Sequence, residues 1–189
     1  MTQANPVYVS LEFTPNPNTL KYSVNRTLLK NRNAANFTKK ETAIEQSPLA
    51  AKLFDVAGIR GVMIGKDFVT VTKEDAGDWD VVHKSTSTIL EDHLNRDEIV
   101  VFEEKIAQAH SGGTSEIENK IRGILDDEIR PAVAMDGGDI TFDRFEDGVV
   151  YLQMKGSCSG CPSSTMTLKQ GIETRLKDSI PEVIEVVSV

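Results

Sequence analysis

The chain has only two thiols, Cys158 and Cys161, and they stand where the hydrophobic period changes. Before them, Val149-Val150-Tyr151-Leu152-Gln153-Met154 reads as a strand, rich in β-branched and aromatic residues. After them, Met166, Leu168, Ile172 and Leu176 fall at helical spacing, with Pro162 near the helix start. The thiols therefore sit on a strand-to-helix junction. The loop there, Lys155-Gly156-Ser157-Cys158-Ser159-Gly160-Cys161-Pro162, has little bulk, so backbone amides can come close to the sulfurs.

The surrounding elements set the fold class. Ser115 suits an N-cap, and Ile117, Ile121, Ile124, Leu125 and Ile129 share one helical face. Pro131 is expected to end or break that helix. Met135-Asp136-Gly137-Gly138-Asp139 reads as a turn, with a second role in shaping a pocket as the alternative. Ile140–Phe145 and Val149–Met154 form a hairpin around Glu146-Asp147-Gly148, and Val183–Val189 forms a last strand. The order is α-β-β-α-β. Met135, Met154 and Met166 are expected as core fillers.

The first half reads separately. Val7–Phe13 and Leu20–Val24 are strands around the rigid turn Thr14-Pro15-Asn16-Pro17-Asn18-Thr19. Pro48–Asp55 is a short helix with Ser47 as N-cap and Pro48 at its first position, and Gly58 ends it. Val62–Ile64 and Phe68–Val71 flank a tight turn, and Asp78 caps a helix from Trp79 to about Leu94. Trp79 is expected to anchor the core. Lys21 to Lys40 holds six basic residues and no acidic one, which reads as a solvated face or, less simply, a docking patch for an acidic partner.

Ala109-His110-Ser111-Gly112-Gly113-Thr114-Ser115 is a flexible linker signal. The expected fold class is therefore α/β (α+β) in two small domains, 1–103 and 116–189, joined by a linker over 104–115.

Composition narrows the function. A formal charge of −8 argues against nucleic-acid binding, which needs a basic surface. No apolar run reaches the length of a membrane span. Met1–Pro6 shows neither a signal pattern nor an Arg-rich presequence, so residence in the cytoplasm is expected. Two cysteines cannot make a disulfide framework, which leaves metal binding or redox use. The glycine-rich loop and the following helix N-terminus are both expected to favour thiolate and lower the thiol pKa.

No His, Asp or Glu lies inside the loop, and His83, His93 and His110 all precede this module. Tetrahedral zinc and the common iron–sulfur clusters take four ligands, while one chain offers two thiolates. A metallic site would therefore be shared by two chains. From Thr114 onward there are 8 basic and 14 acidic residues, so two such modules repel and the shared site must outweigh that.

Met135-Asp136-Gly137-Gly138-Asp139, followed by Gly156-Ser157-Cys158-Ser159-Gly160-Cys161-Pro162-Ser163-Ser164, resembles the C-terminal module of NifU, the Nfu-type iron–sulfur scaffold family. Phe13–Lys21 resembles the opening of the Nfu N-terminal domain, and Gly61–Gly65 with Phe68–Thr72 resembles its central hairpin. The resemblance covers nearly the whole chain. It implies a [4Fe-4S] cluster held between two subunits by Cys158 and Cys161, with dimerisation dependent on the cluster. It implies delivery to apo iron–sulfur enzymes such as lipoyl synthase or aconitase, with cluster assembly proteins upstream, and no catalysis. Two other readings fit the thiols. A thioredoxin-like oxidoreductase explains the pair, although here Pro162 follows the second cysteine instead of lying between the two. A dimer stapled by structural zinc also satisfies the ligand count.

Overall fold

The computed structural model describes residues 6–30, 34–106, 115–160 and 162–189. The chain divides into two compact units, Met1–Ala109 and His110–Val189. Gly112-Gly113, the centre of the expected linker, lies outside the described residues.

The first unit is a five-stranded antiparallel sheet with helices. Its strands are β1 (Val9–Phe13), β2 (Thr19–Val24), β3 (Ala35–Phe37), β4 (Ile59–Ile64) and β5 (Phe68–Lys73), in the spatial order β1-β2-β5-β4-β3. Its helices are α1 (Lys40–Gln46), α2 (Pro48–Phe54), α3 (Trp79–Asn95) and α4 (Glu103–Ile106). The turn before β2 closes as its polar residues dictate: Thr14 Oγ1 donates to Thr19 O at 2.8 Å, and Trp79 Nε1 donates to Pro17 O at 3.1 Å. Trp79 thus packs at the edge of the core and ties the turn to α3. Both helix starts read from the sequence carry caps. Ser47 Oγ accepts from Ala50 N at 3.0 Å, and Asp78 Oδ1 accepts from Asp80 N at 2.9 Å.

Two elements carry almost no sequence signal. Strand β3 is only three residues long, and α1 buries only Ala43 and has no side-chain cap. Both are held by tertiary packing: Phe37 and Ala43 are buried in the core with Tyr22, Leu49, Leu53 and Leu90. Among the described residues, three of the six basic residues in the run form ion pairs within the chain. Lys21 Nζ lies 2.9 Å from Glu12, Arg26 Nη1 lies 3.1 Å from Asp97, and Lys40 Nζ lies 2.6 Å from Asp55. Lys21 is buried, while the Arg26 and Lys40 pairs are on the surface and add little stability each.

His93 on α3 is buried and its partners fix its state. Its Nε2–H donates to Ile99 O at 3.0 Å, and its Nδ1 lies 3.2 Å from both Lys52 Nζ and Glu98 Oε2, which pair with each other. Burial is the main reason its pKa lies below the ordinary value of 6.5, and the Lys52 charge adds to that. The folded pKa is the depressed one, so this group's stabilisation is complete above pH 6.5 and is lost as pH falls toward the folded value. The Trp79-monitored denaturation midpoint is expected to drop between pH 7 and pH 5, where carboxylates barely titrate. His93→Gln should flatten that slope, and an unchanged slope would remove His93 as its cause.

The second unit is α5 (Glu116–Ile124), a π-helical turn (Leu125–Ile129), α6 (Arg130–Met135), β6 (Gly138–Glu146), β7 (Val149–Gly156), α7 (Pro162–Ser179) and β8 (Glu185–Ser188). Strands β6 and β7 are antiparallel, and β8 pairs with β7 in parallel after the α7 crossover. The start of α5 carries a full capping box between Ser115 and Glu118. Asp147 (φ 50°) and Gly148 (φ 83°) make the two-residue hairpin turn.

Pro131 does not end the helix. The backbone widens to a π turn just before it, where Arg130 N–H reaches back to Leu125 O, and Pro131 falls in the first turn of α6. There its missing N–H and its ring are tolerated. The core holds Ile121, Leu125, Val133, Ile140, Leu152, Ile172, Leu176 and Val186. Of the three methionines expected in it, only Met154 packs against it; Met135 is 71% exposed and Met166 63%. Leu168, Ile172 and Leu176 take the inward face of α7 at four-residue steps, and Met166 is off that face.

Candidate metal centre

The described thiol is placed by two meeting segments. Strand β7 ends at Gly156 (φ 61°), and the chain then turns across the loop that joins α6 to β6. Ser157 N–H donates to Gly137 O at 3.1 Å and Ser157 Oγ donates to Asp136 O at 2.6 Å. On the far side Thr165 Oγ1 of α7 donates to Cys158 O at 3.0 Å. Cys158 is thus pinned on both flanks and is 7% exposed.

The two glycines have different jobs. Gly137 has φ 76° and makes the turn. Gly138 is the seat of the thiol: a Cβ there would stand 2.2 Å from Cys158 Sγ and 3.1 Å from Val133 Cγ1. The turn that the sequence marks is made at Gly137, and Gly138 lies against the Cys158 side chain.

The expected lowering of the thiol pKa is not what the structure gives. Burial pushes the Cys158 thiol up to about 11; a bond with Ser157 opposes this, while Asp136 and Asp139 add to it. Burial in the core of the second unit outweighs the Ser157 bond, and α7 begins only at Pro162. Deprotonation of this thiol needs a positive ligand to compensate, which a metal supplies.

Cys161 lies outside the described residues, so its placement beside Cys158 remains an expectation from sequence. Among the described residues no group of three or more His, Cys, Asp and Glu is arranged to hold a metal ion. His83 bonds Tyr22 and His93 bonds Ile99 O, both in the first unit, and His110 lies outside the described residues.

Sequence reasoning missed a neighbour of this site. Arg130 forks onto Asp139, Nε to Oδ1 at 2.8 Å and Nη2 to Oδ2 at 3.0 Å, and it also reaches Asp126 at 2.9 Å. Its one sequence signal was the acidic residue after the glycine pair.

A family model described as "NifU-like domain" matches residues 121–187, and one described as "Scaffold protein Nfu/NifU N terminal" matches residues 9–97. The chain is 39% identical over 179 residues to the human "NFU1 iron-sulfur cluster scaffold homolog, mitochondrial", covering 94% of this chain and 70% of that protein. The protein of the same name from Drosophila persimilis is 38% identical over 184 residues, covering 94% of this chain and 63% of that protein. The solution structure of a NifU-like protein from Saccharomyces cerevisiae is similar at TM-score 0.47 and 23% identity, over 53% of this chain and 89% of that one. No helix among the described residues is long and apolar enough to cross a membrane. With both halves matched in order and the human relative aligned over most of its length, the chain belongs to the Nfu/NifU-type family of iron–sulfur cluster scaffolds, which are not enzymes.

Proposed function

We propose that the chain carries a [4Fe-4S] cluster on Cys158 and Cys161 of two copies and passes it to apo iron–sulfur enzymes, of which lipoyl synthase and aconitase are examples. Cluster assembly proteins act upstream of it. The observation that carries this is the seated thiol without a third ligand group beside it among the described residues. The cluster is cargo. The chain's own part is to hold thiolates in a low-dielectric seat on Gly138 and to release them when a recipient offers its own ligands. Dimerisation then follows loading, since each copy completes the other's site.

The raised thiol pKa goes against the disulfide oxidoreductase reading, which needs an exposed thiol that ionises easily. We place the protein in the cytoplasm, a reducing compartment. The relatives named above are mitochondrial by name, so fractionation of the source cell tests this. Its partners in this reading are proteins, with no role for nucleic acid or membrane.

Anaerobic reconstitution with iron and sulfide is the test. The expected result is broad visible absorption, a shift from monomer to dimer on sizing, and about two irons per chain, as a four-iron cluster shared by two copies requires. Cys158→Ser should abolish all three while leaving the far-UV spectrum intact. Binding of zinc alone, or catalytic disulfide reduction without iron, would overturn the proposal.

A further inference from the structure

The second unit spends a buried ion pair next to the thiol seat. Arg130 and Asp139 are 10% and 7% exposed by side chain and meet through both carboxylate oxygens. Breaking such a pair leaves an unmatched charge in a low-dielectric site, while a well-packed apolar pair could serve the fold equally well. The position of the pair says what else it does. Asp139 directly follows Gly138, on which Cys158 Sγ rests. Arg130 leaves the helix at the point where the π turn gives way to α6, three residues before Val133, which closes the other side of the seat. Lys155 lies opposite Asp139 in the β6–β7 ladder, drawn by Asp139 and repelled by Arg130.

An iron–sulfur cluster with four thiolates is a net anion in its usual oxidised state. A bare Asp139 one residue from the seat would repel it. We infer that Arg130 is a positioning residue for cluster loading: it neutralises Asp139 and holds the Gly138 seat against α6, so that an anionic group can be carried at Cys158. This inference rests on the reading of Cys158 as a cluster ligand. It adds a residue outside the cysteine loop on which loading depends, and it sets the sign of the charge that residue must carry.

Full-length wild type, Arg130→Gln, Arg130→Lys, Asp139→Asn and the Arg130→Gln/Asp139→Asn double variant are reconstituted anaerobically. Cluster retention against a chelator, the midpoint potential of the loaded protein and the melting temperature of the apo-protein are measured for each. Arg130→Gln is expected to weaken retention by about 10- to 100-fold, the usual loss when a ligand's supporting partner is removed. The double variant should recover most of that loss, since it leaves no unmatched charge. The potentials should move in opposite directions, down for Arg130→Gln and up for Asp139→Asn. Arg130→Lys keeps the charge and should stay near wild type in potential even if it folds less stably, which covers a Gln variant that fails to fold.

A merely structural bridge would give retention that follows the melting temperature across all the variants, the double variant included, and potentials that do not move in opposite directions. Either of those overturns this inference. If wild type loads and Arg130→Gln loads equally well, this inference alone fails. If wild type holds no cluster under any condition, the reading of Cys158 fails and takes this inference with it.

Discussion

Gly138→Ala is expected to abolish cluster loading and to destabilise the second unit. The added methyl would stand 2.2 Å from Cys158 Sγ, 3.2 Å from Cys158 Cβ and 3.1 Å from Val133 Cγ1. Carbon atoms rest at about 3.5–4.0 Å, so the sulfur contact is deep in the repulsive wall. The thiol cannot yield by a small rotation, because its own Cβ is already tight and Ser157 and Thr165 hold the backbone on either side. Cys158 must leave its seat, and overpacking of this kind costs about 1–3 kcal/mol. The neighbouring Gly137→Ala is the control. It meets the strain of a left-handed residue, about 1–2 kcal/mol. Iron per chain after reconstitution separates the two: Gly138→Ala near zero, Gly137→Ala substantially loaded. Full loading of Gly138→Ala would show that Cys158 does not need this seat.

Leu90→Ala is expected to cost the first unit about 2–5 kcal/mol, the usual range for a buried leucine that leaves a cavity. Leu90 is fully buried on α3, in the core with Tyr22, Leu49, Leu53 and Val69. Against a total of about 5–15 kcal/mol for a domain, that is a large share. The single tryptophan, Trp79, lies on the same helix and reports the transition by fluorescence in urea. The midpoint should fall markedly, while iron loading at low temperature stays at the wild-type level, because the thiol seat belongs to the other unit. A loss below about 1 kcal/mol would mean that the core closes over the gap. Loss of loading in folded protein would mean that the first unit takes part in cluster binding.

Much of the fold was legible because its signals are local. Ser47, Asp78 and Ser115 each bond the helix amide that their position predicts. Asp147-Gly148 makes the hairpin turn because only such residues accept two successive positive φ angles. The signals failed where a distant contact decides the outcome. Pro131 reads as an end or a break of the helix; the helix is interrupted by a π turn just before it and then runs on, with Leu125 and Val133 packed in the core. Met135 and Met166 read as core residues, yet Val133 and the Leu168-Ile172-Leu176 face fill the space first. Ala35–Phe37 is too short to carry a period and becomes a strand only by pairing with β4.

The candidate site divides the same way. The sequence alone determined that two thiols share a strand-to-helix loop and that the loop offers no further ligand, because residue type and spacing are local facts. Only the tertiary structure decided that Gly138, twenty residues upstream, is the surface on which Cys158 rests. It also decided that burial raises the thiol pKa to about 11, against the expectation from the loop. Desolvation is the sum over everything packed around a group, and Gly138 and Val133 come into one core with Cys158 only through the folding of α6 and β6 against β7.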